Sequence, residues 1–125
     1  MRNTLPRHER LSSKKLIGQL FKQGRSYKAY PLRFVYLPLP ATDRDQVLFS
    51  VPRRNFKKAV DRNLLKRRMR EAYRQHKHLI TYKPGEGVHF LLGYIYIARE
   101  IQSYKRIETK IVESLYRLNK SQTQK

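Results

Sequence analysis

Residues 59–79 read AVDRNLLKRRMREAYRQHKHL, and the way this stretch sorts its side chains decides what the rest of the chain must build around it. At ~100° per residue, Leu64, Leu65, Met69, Ala72 and Tyr73 fall on one broad side of a helix, an apolar face that needs a partner. Asn63, Lys66, Arg67, Arg70, Arg74 and Lys77 share an arc of roughly 100° on the opposite side, with Arg62 at its edge. The five cations in that arc repel one another by about a few tenths of a kcal/mol per i,i+4 pair. No acidic residue falls within that arc. A helix built only for stability would alternate signs; a one-signed arc is what contact with a polyanion requires.

Working outward, residues 82–87 carry Pro84, Gly85 and Gly87 and form the clearest break in the chain. Residues 88–98 follow as an apolar, β-branched and aromatic run, which predicts a central buried strand. Tyr104, Ile107, Ile111, Leu115 and Leu118 then mark an amphipathic helix fading into a polar tail. Upstream, residues 53–58 are a connector holding Arg53, Arg54, Lys57 and Lys58. Residues 46–51, ended by Pro52, and Leu32–Leu39 both read as strands. The polar turn 41–45 between these two strands predicts an antiparallel hairpin. Ser12 or Ser13 caps a helix over Lys14–Gln23, where Leu16, Ile17, Leu20 and Phe21 recur at helical spacing and Gly24 serves as the residue past its end. The expected order is α-β-β-α-β-α. This is an α+β class, single-domain sandwich with helices packed on a small mixed sheet. Residues 1–9 and 119–125 are expected to be flexible ends flanking one domain at 10–118.

Composition narrows the partner. The chain has 125 residues, enough for one core, and 29 Lys and Arg against 9 acids give a net charge of +20. Such self-repulsion is relieved when a polyanion binds and counterions leave. No apolar run approaches the ~20 residues needed to span a bilayer, and residues 1–10 carry no signal-peptide layout, so a membrane partner is not expected. The absence of cysteine excludes disulfides and thiolate metal sites and agrees with a cytoplasmic location.

The motif residues carry a resemblance. Arg62-Asn63-Leu64-Leu65-Lys66-Arg67-Arg68-Met69-Arg70-Glu71, with Ala59-Val60 before and Ala72-Tyr73 after, resembles the basic motif of the bacterial ribonuclease P protein family. Arg10-Leu11, Phe21 with Gly24, Phe34-Val35-Tyr36, Ser50-Val51-Pro52-Arg53-Arg54 and Tyr96-Ile97-Ala98-Arg99 extend the likeness over residues 10 to about 118. Ile17 stands where the family often has an aromatic residue, Leu64 where it commonly has arginine, and Lys57 where glycine is frequent. The resemblance implies a fold like the second domain of ribosomal protein S5, with a left-handed βαβ crossover. It implies a protein subunit that binds the catalytic RNA of ribonuclease P as a 1:1 ribonucleoprotein of one protein monomer. That RNA, using Mg2+, would remove the 5′ leader of precursor tRNA. Arg53, Arg54, Arg62, Asn63, Lys66, Arg67, Arg70 and Arg74 would contact RNA, and Ile17, Phe21, Phe34 and Tyr36 would line a cleft for the leader. For Phe21 and Phe34, core packing is an equal alternative.

The chain shows no active site of its own. A protein-only metal nuclease needs clustered carboxylates, whereas here only Asp43 and Asp45 are close, in a turn. His76 and His78 are two apart on a helix and point in different directions. No metal site or protein-bound cofactor is therefore expected, and the chain reads as the protein part of an RNA-based endoribonuclease. A small ribosomal-protein-like structural RNA binder shares the basic α+β character and remains the alternative. A DNA regulator would need a short helix and turn before the basic helix, which is not evident.

Overall fold

The computed structural model describes residues 9–39, 45–79 and 89–123. The expected flexible start up to residue 8, most of the 41–45 turn and the 82–87 break lie outside them.

Local chemistry sets the elements in order. Ser13 caps α1 (Lys14–Gln23), its hydroxyl accepting from the Leu16 N–H at 3.3 Å. The strands β1 (Arg25–Ala29), β2 (Leu32–Leu39) and β3 (Gln46–Ser50) follow, then α2 (Ala59–His76) with a 3-10 turn over Lys77–Leu79, β4 (His89–Tyr96) and α3 (Tyr104–Thr123). Two expected ends therefore shift. The basic helix tightens into the 3-10 turn after His76, and α3 continues past Asn119, whose amide donates to the Leu79 carbonyl at 2.6 Å. That bond across to the end of the basic helix holds a segment whose own sequence is only polar. No described helix is long and apolar enough to cross a membrane.

The sheet corrects the expected connectivity. Its order is β1-β2-β4-β3: β2 pairs antiparallel with β4 from Leu32↔Tyr96 to Leu39↔His89, and β3 pairs parallel with β4 from Gln46↔Leu91 to Ser50↔Ile95. The hairpin expected between β2 and β3 does not form, because β4 inserts between them. Phe90, Leu91, Leu92, Tyr94 and Tyr96 are all buried, so β4 is apolar on both faces and belongs in the middle of the sheet rather than at an edge. The hairpin is made instead by β1 and β2 around Tyr30 and Pro31. β1 was not expected at all. Its sequence, RSYKA, is polar, as suits an edge strand that must not recruit another chain.

Because residues paired across a ladder share a face, the register divides the sheet cleanly. One face carries Phe34, Val47, Phe90, Leu92, Tyr94 and Tyr96, with Tyr27, Tyr36 and Phe49 at its margin. α2 covers it with Leu65, Met69, Ala72 and Tyr73, and α3 with Ile107, Ile111, Leu115 and Leu118. Each large side chain so buried contributes ~1.5–3 kcal/mol. The other face carries Val35 and Leu91, with Leu37, Leu48 and Ile95 partly covered, and α1 packs there through Leu20, Leu16 and Ile17. Gly93 lies under Leu20: a Cβ at that position would stand 3.1 Å from Leu20 Cδ2. Gly24 ends α1, yet in an extended conformation (φ −71°, ψ 156°) rather than the left-handed one expected of a residue past a helix end. Glycine is needed there for space, since a Cβ would meet the Leu20 carbonyl oxygen at 2.3 Å.

Two predictions follow from this packing. Gly24→Ala should destabilise the protein by about 1–3 kcal/mol, because backbone cannot yield to the new methyl. Gly18→Ala, with nothing within 4 Å of its Cβ, should instead stabilise it by about 0.5–1 kcal/mol. Urea denaturation of both variants reads the opposite signs. The second concerns alkali. Burial holds the Tyr73 and Tyr94 hydroxyls protonated far above their ordinary range, and pushes Tyr27 up to about 12. An unfolded tyrosine releases its proton near ~10, so above that pH the unfolded state binds fewer protons than the native one. Stability from these groups is thus complete below pH ~10 and should fall as pH rises towards 12. Denaturation midpoints taken in steps over that window should decline, and less steeply in Tyr27→Phe.

Candidate nucleic-acid interface

α2 begins without a side-chain cap, since Lys58 occupies the capping position and contributes none. Arg62 serves that end instead. Its Nη1 donates to the Phe56 carbonyl at 2.7 Å and to the Lys57 carbonyl at 2.9 Å, tying the connector and its buried Phe56 to the first turn. Arg68 acts similarly on another loop, donating to the Gln102 carbonyl at 2.7 Å ahead of α3. Two arginines of the basic stretch therefore hold backbone in place, a use that charge and spacing alone do not reveal.

The outward face between them is different. Asn63 and Arg67 are exposed, Lys66 and Arg70 half-buried, and among the described residues none of the three cations pairs with a carboxylate. The Nε of Arg70 is buried without a hydrogen-bond partner, a state that ordinarily costs free energy unless something arrives to accept from it. Towards the C-terminal end of α2 the one-signed arc is interrupted. Arg74 grips Glu71 with two donors, Nε to Oε2 at 3.0 Å and Nη2 to Oε1. Lys77 lies 3.2 Å from Glu9 Oε1. Glu71 stands three residues before Arg74 and so reaches it over one turn; Glu9 comes from the segment ahead of α1. The Arg74 hydrogen bond, helped by one from Gln75, holds the Glu71 carboxyl below the usual carboxylate range.

Leu64 departs from its expected place. The core side of α2 is Leu65, Met69, Ala72 and Tyr73, while Leu64 turns outward. With Val60, Asn63, Lys66, Arg67 and Arg70 it lines an open depression of about 490 Å³. A smaller one, about 190 Å³, adjoins it where Lys66 and Arg70 face Arg10, Leu11 and β3. Arg10 is held there by backbone, through its bridge to Val47 and the Leu11 N–H donating to the Val47 carbonyl at 2.9 Å. The cationic surface thus runs off α2 onto the outer edge of β3, where Arg10 bridges to it. Arg10 was not among the expected RNA contacts, because one arginine before a helix gives no local signal. Arg53 and Arg54 are exposed in the turn between β3 and α2.

The four residues expected to line one cleft do not share a surface. Ile17 and Phe21 stand on α1, over one face of the sheet, and Phe21 keeps 48% of its surface exposed. Phe34, 1% exposed, and Tyr36 point to the other face, where Phe34 stacks between Tyr36 and Tyr94 at centroid distances of 5.5 and 5.0 Å. In a strand, neighbouring residues alternate sides. The β2 positions that face α1 are accordingly Arg33, Val35 and Leu37, one step from the residues expected.

The titratable groups elsewhere are dispersed. His76 Nε2 lies 2.9 Å from Glu108 Oε2, the His76 and His78 ring centroids are 6.3 Å apart, and Asp45 accepts from the Phe90 N–H at 2.8 Å. Among the described residues no three His, Cys, Asp or Glu side chains gather where they could hold a metal ion.

The chain is similar to known proteins over most of its length. The family model described as Ribonuclease P matches residues 5–119. The ribonuclease P protein component of Chlorobaculum tepidum is 37% identical over 128 residues, covering 93% of this chain and 83% of that protein. That of Porphyromonas gingivalis is 33% identical over 118 residues, covering 91% and 85%. The solved RNase P protein from Thermotoga maritima superposes with a TM-score of 0.67 at 24% identity, covering 87% of this chain and 96% of that one, a likeness of fold.

The two kinds of arginine on α2 should separate experimentally. Arg62→Ala should cost roughly 1–2 kcal/mol of folding stability, through the carbonyls it leaves unpaired. Arg67→Ala should leave stability within about 0.5 kcal/mol of the parent. Urea titration of the two variants checks this, with equal losses as the contrary result.

Proposed function

The chain belongs to the ribonuclease P protein family, the protein component of an endoribonuclease of tRNA 5′ processing, and from that premise we propose that α2 docks on the catalytic RNA while the sheet beside α1 receives the 5′ leader of precursor tRNA. The observation that carries the reading is the carboxylate-free stripe of Lys66, Arg67 and Arg70, backed by an apolar face that anchors it to the sheet. Arg10, Arg53, Arg54 and Asn63 extend the stripe, and Arg62 and Arg74 stand at its ends, each already engaged within the protein. RNA phosphates replace the missing counter-charges and release condensed ions as they do so.

For the leader, the supporting surface is the α1 face. Ile17 and Phe21 offer apolar area next to Leu48 and Ile95, while Lys28 and Arg33, paired across β1 and β2, place two cations on the same side. Apolar and aromatic contact with bases tolerates any sequence, and the cations follow the backbone. In this reading the chemistry lies with the RNA subunit, whose Mg2+ ions would stabilise the attacking and leaving oxygens. The protein's share is to bind and orient. Glu9, Glu71 and Glu108 are each engaged by a cationic or histidine side chain, and Asp45 by a backbone N–H, consistent with structural rather than catalytic employment. A 1:1 complex of one protein monomer with the RNA completes the proposal.

Addition of the protein to the catalytic RNA should tighten binding of precursor tRNA more than of mature tRNA. Phe21→Ala should reduce that difference at least fivefold, since stacking on one base is worth ~1–3 kcal/mol. Equilibrium binding of both tRNA forms, with and without protein, tests it; equal tightening of both would remove the leader surface.

A further inference from the structure

The outward face of the first turns of α2 is not uniformly charged. It is laid out in three rows of i,i+4 neighbours. Val60 and Leu64 form an apolar row, Asn63 and Arg67 run beside it, and Lys66 and Arg70 form a cationic row on the far side. The six side chains together line the larger of the two depressions. Val60 is 70% exposed, and no element of the described chain covers it. A single exposed valine means little. Here the apolar row is one side of an open depression whose other side is positive, and the buried Nε of Arg70, on that positive side, has no hydrogen-bond partner among the described residues.

We infer that this depression seats one unpaired nucleotide of the RNA, with its base flat on Val60 and Leu64 and its phosphate against Lys66 and Arg70. The layout matches the order of a nucleotide's own parts: an apolar ring face, then hydrogen-bonding edges and ribose, then a charge. Asn63 stands between the two outer rows, where an amide both donates and accepts and so can engage a base edge or a 2′-hydroxyl. Arg67 beside it offers a planar guanidinium. RNA, unlike duplex DNA, presents splayed bases in its loops and bulges for this kind of docking. The inference rests on the proposed RNA-binding role of α2 and adds that one contact there is made by a base rather than by charge alone.

The test uses a change that pure electrostatics and base seating read with opposite sign. Val60→Lys and Leu64→Lys each add a cation to an already basic face without disturbing the core, since Val60 is exposed and Leu64 faces outward. If the face only attracts phosphates, both variants bind the catalytic RNA more tightly, with a steeper dependence on salt concentration. If a base sits on the apolar row, both bind about five- to tenfold more weakly despite the added charge. The full-length protein is titrated into the catalytic RNA at several KCl concentrations, and the circular dichroism of each variant confirms its fold. Weaker binding by the Lys variants, together with parent-like affinity in Val60→Ile, which keeps the apolar surface, supports the seat, whereas a loss in Val60→Ile equal to that in Val60→Lys counts against it. Tighter or unchanged binding overturns it. A parallel titration of the parent protein into an unrelated RNA of equal length separates this from the broader reading: no preference for the catalytic RNA would overturn the proposed function itself.

Discussion

Water must be kept from both sides of β4. Phe90, Leu92, Tyr94 and Tyr96 point one way and Leu91 the other, all buried, while Gly93 leaves room for Leu20 to close on the sheet. A strand of that kind is stable only in the centre of a sheet covered on both faces, and most of the architecture follows from meeting that demand. β2 and β3 take its two edges, one antiparallel and one parallel, so the chain has to cross from β3 back to β4 through α2. α2 and α3 seal the aromatic face, and α1 seals the smaller aliphatic one.

That arrangement determines where charge can go. α2 spends Leu65, Met69, Ala72 and Tyr73 on the core, and the remaining sides of the helix are free to carry cations. Those cations then divide by neighbourhood. Arg62 and Arg68 find backbone carbonyls, Arg74 finds Glu71 and Lys77 finds Glu9, while Lys66, Arg67 and Arg70 pair with no carboxylate among the described residues. Arginine is suited to both tasks because its fixed fork of donors serves a carbonyl as readily as a phosphate. The protein uses one residue type to assemble the helix in its surroundings and to present what binds.

The aromatic residues show the same division. Phe34, Phe49, Tyr73 and Tyr94 interlock in the core with ring centroids 5.0–6.1 Å apart, Phe56 meets Tyr96 edge-on at 5.7 Å, and the Tyr94 hydroxyl lies 2.6 Å from Ser114 Oγ inside it. Arg117 lies 3.9 Å over the Tyr27 ring, a stacking position that caps the core margin with a cation but does not deliver a hydrogen bond to the Tyr27 hydroxyl. Phe21 alone among the phenylalanines described stands half in solvent, on α1. Tyr30 and Tyr116 are exposed as well, and a count of tyrosines and phenylalanines could not have told the core rings from those left outside.

By itself the sequence determined what depends on neighbours close along the chain. The helix over Lys14–Gln23 with a serine cap at Ser12 or Ser13, the strand Leu32–Leu39, the two faces of α2 apart from Leu64 and the burial of β4 are all written in spacings of two to four residues, which backbone geometry converts directly into faces. The basic motif and its family resemblance were legible for the same reason. Only the tertiary structure decided which strands pair, that polar RSYKA is a strand, and which side of the sheet each β2 residue meets. It alone brought Arg10 beside Lys66 and Arg70, and turned Leu64 outward. Those outcomes rest on contacts between segments far apart in the chain, where a shift of one residue in register exchanges the two faces, and no local pattern encodes the partner that selects between them.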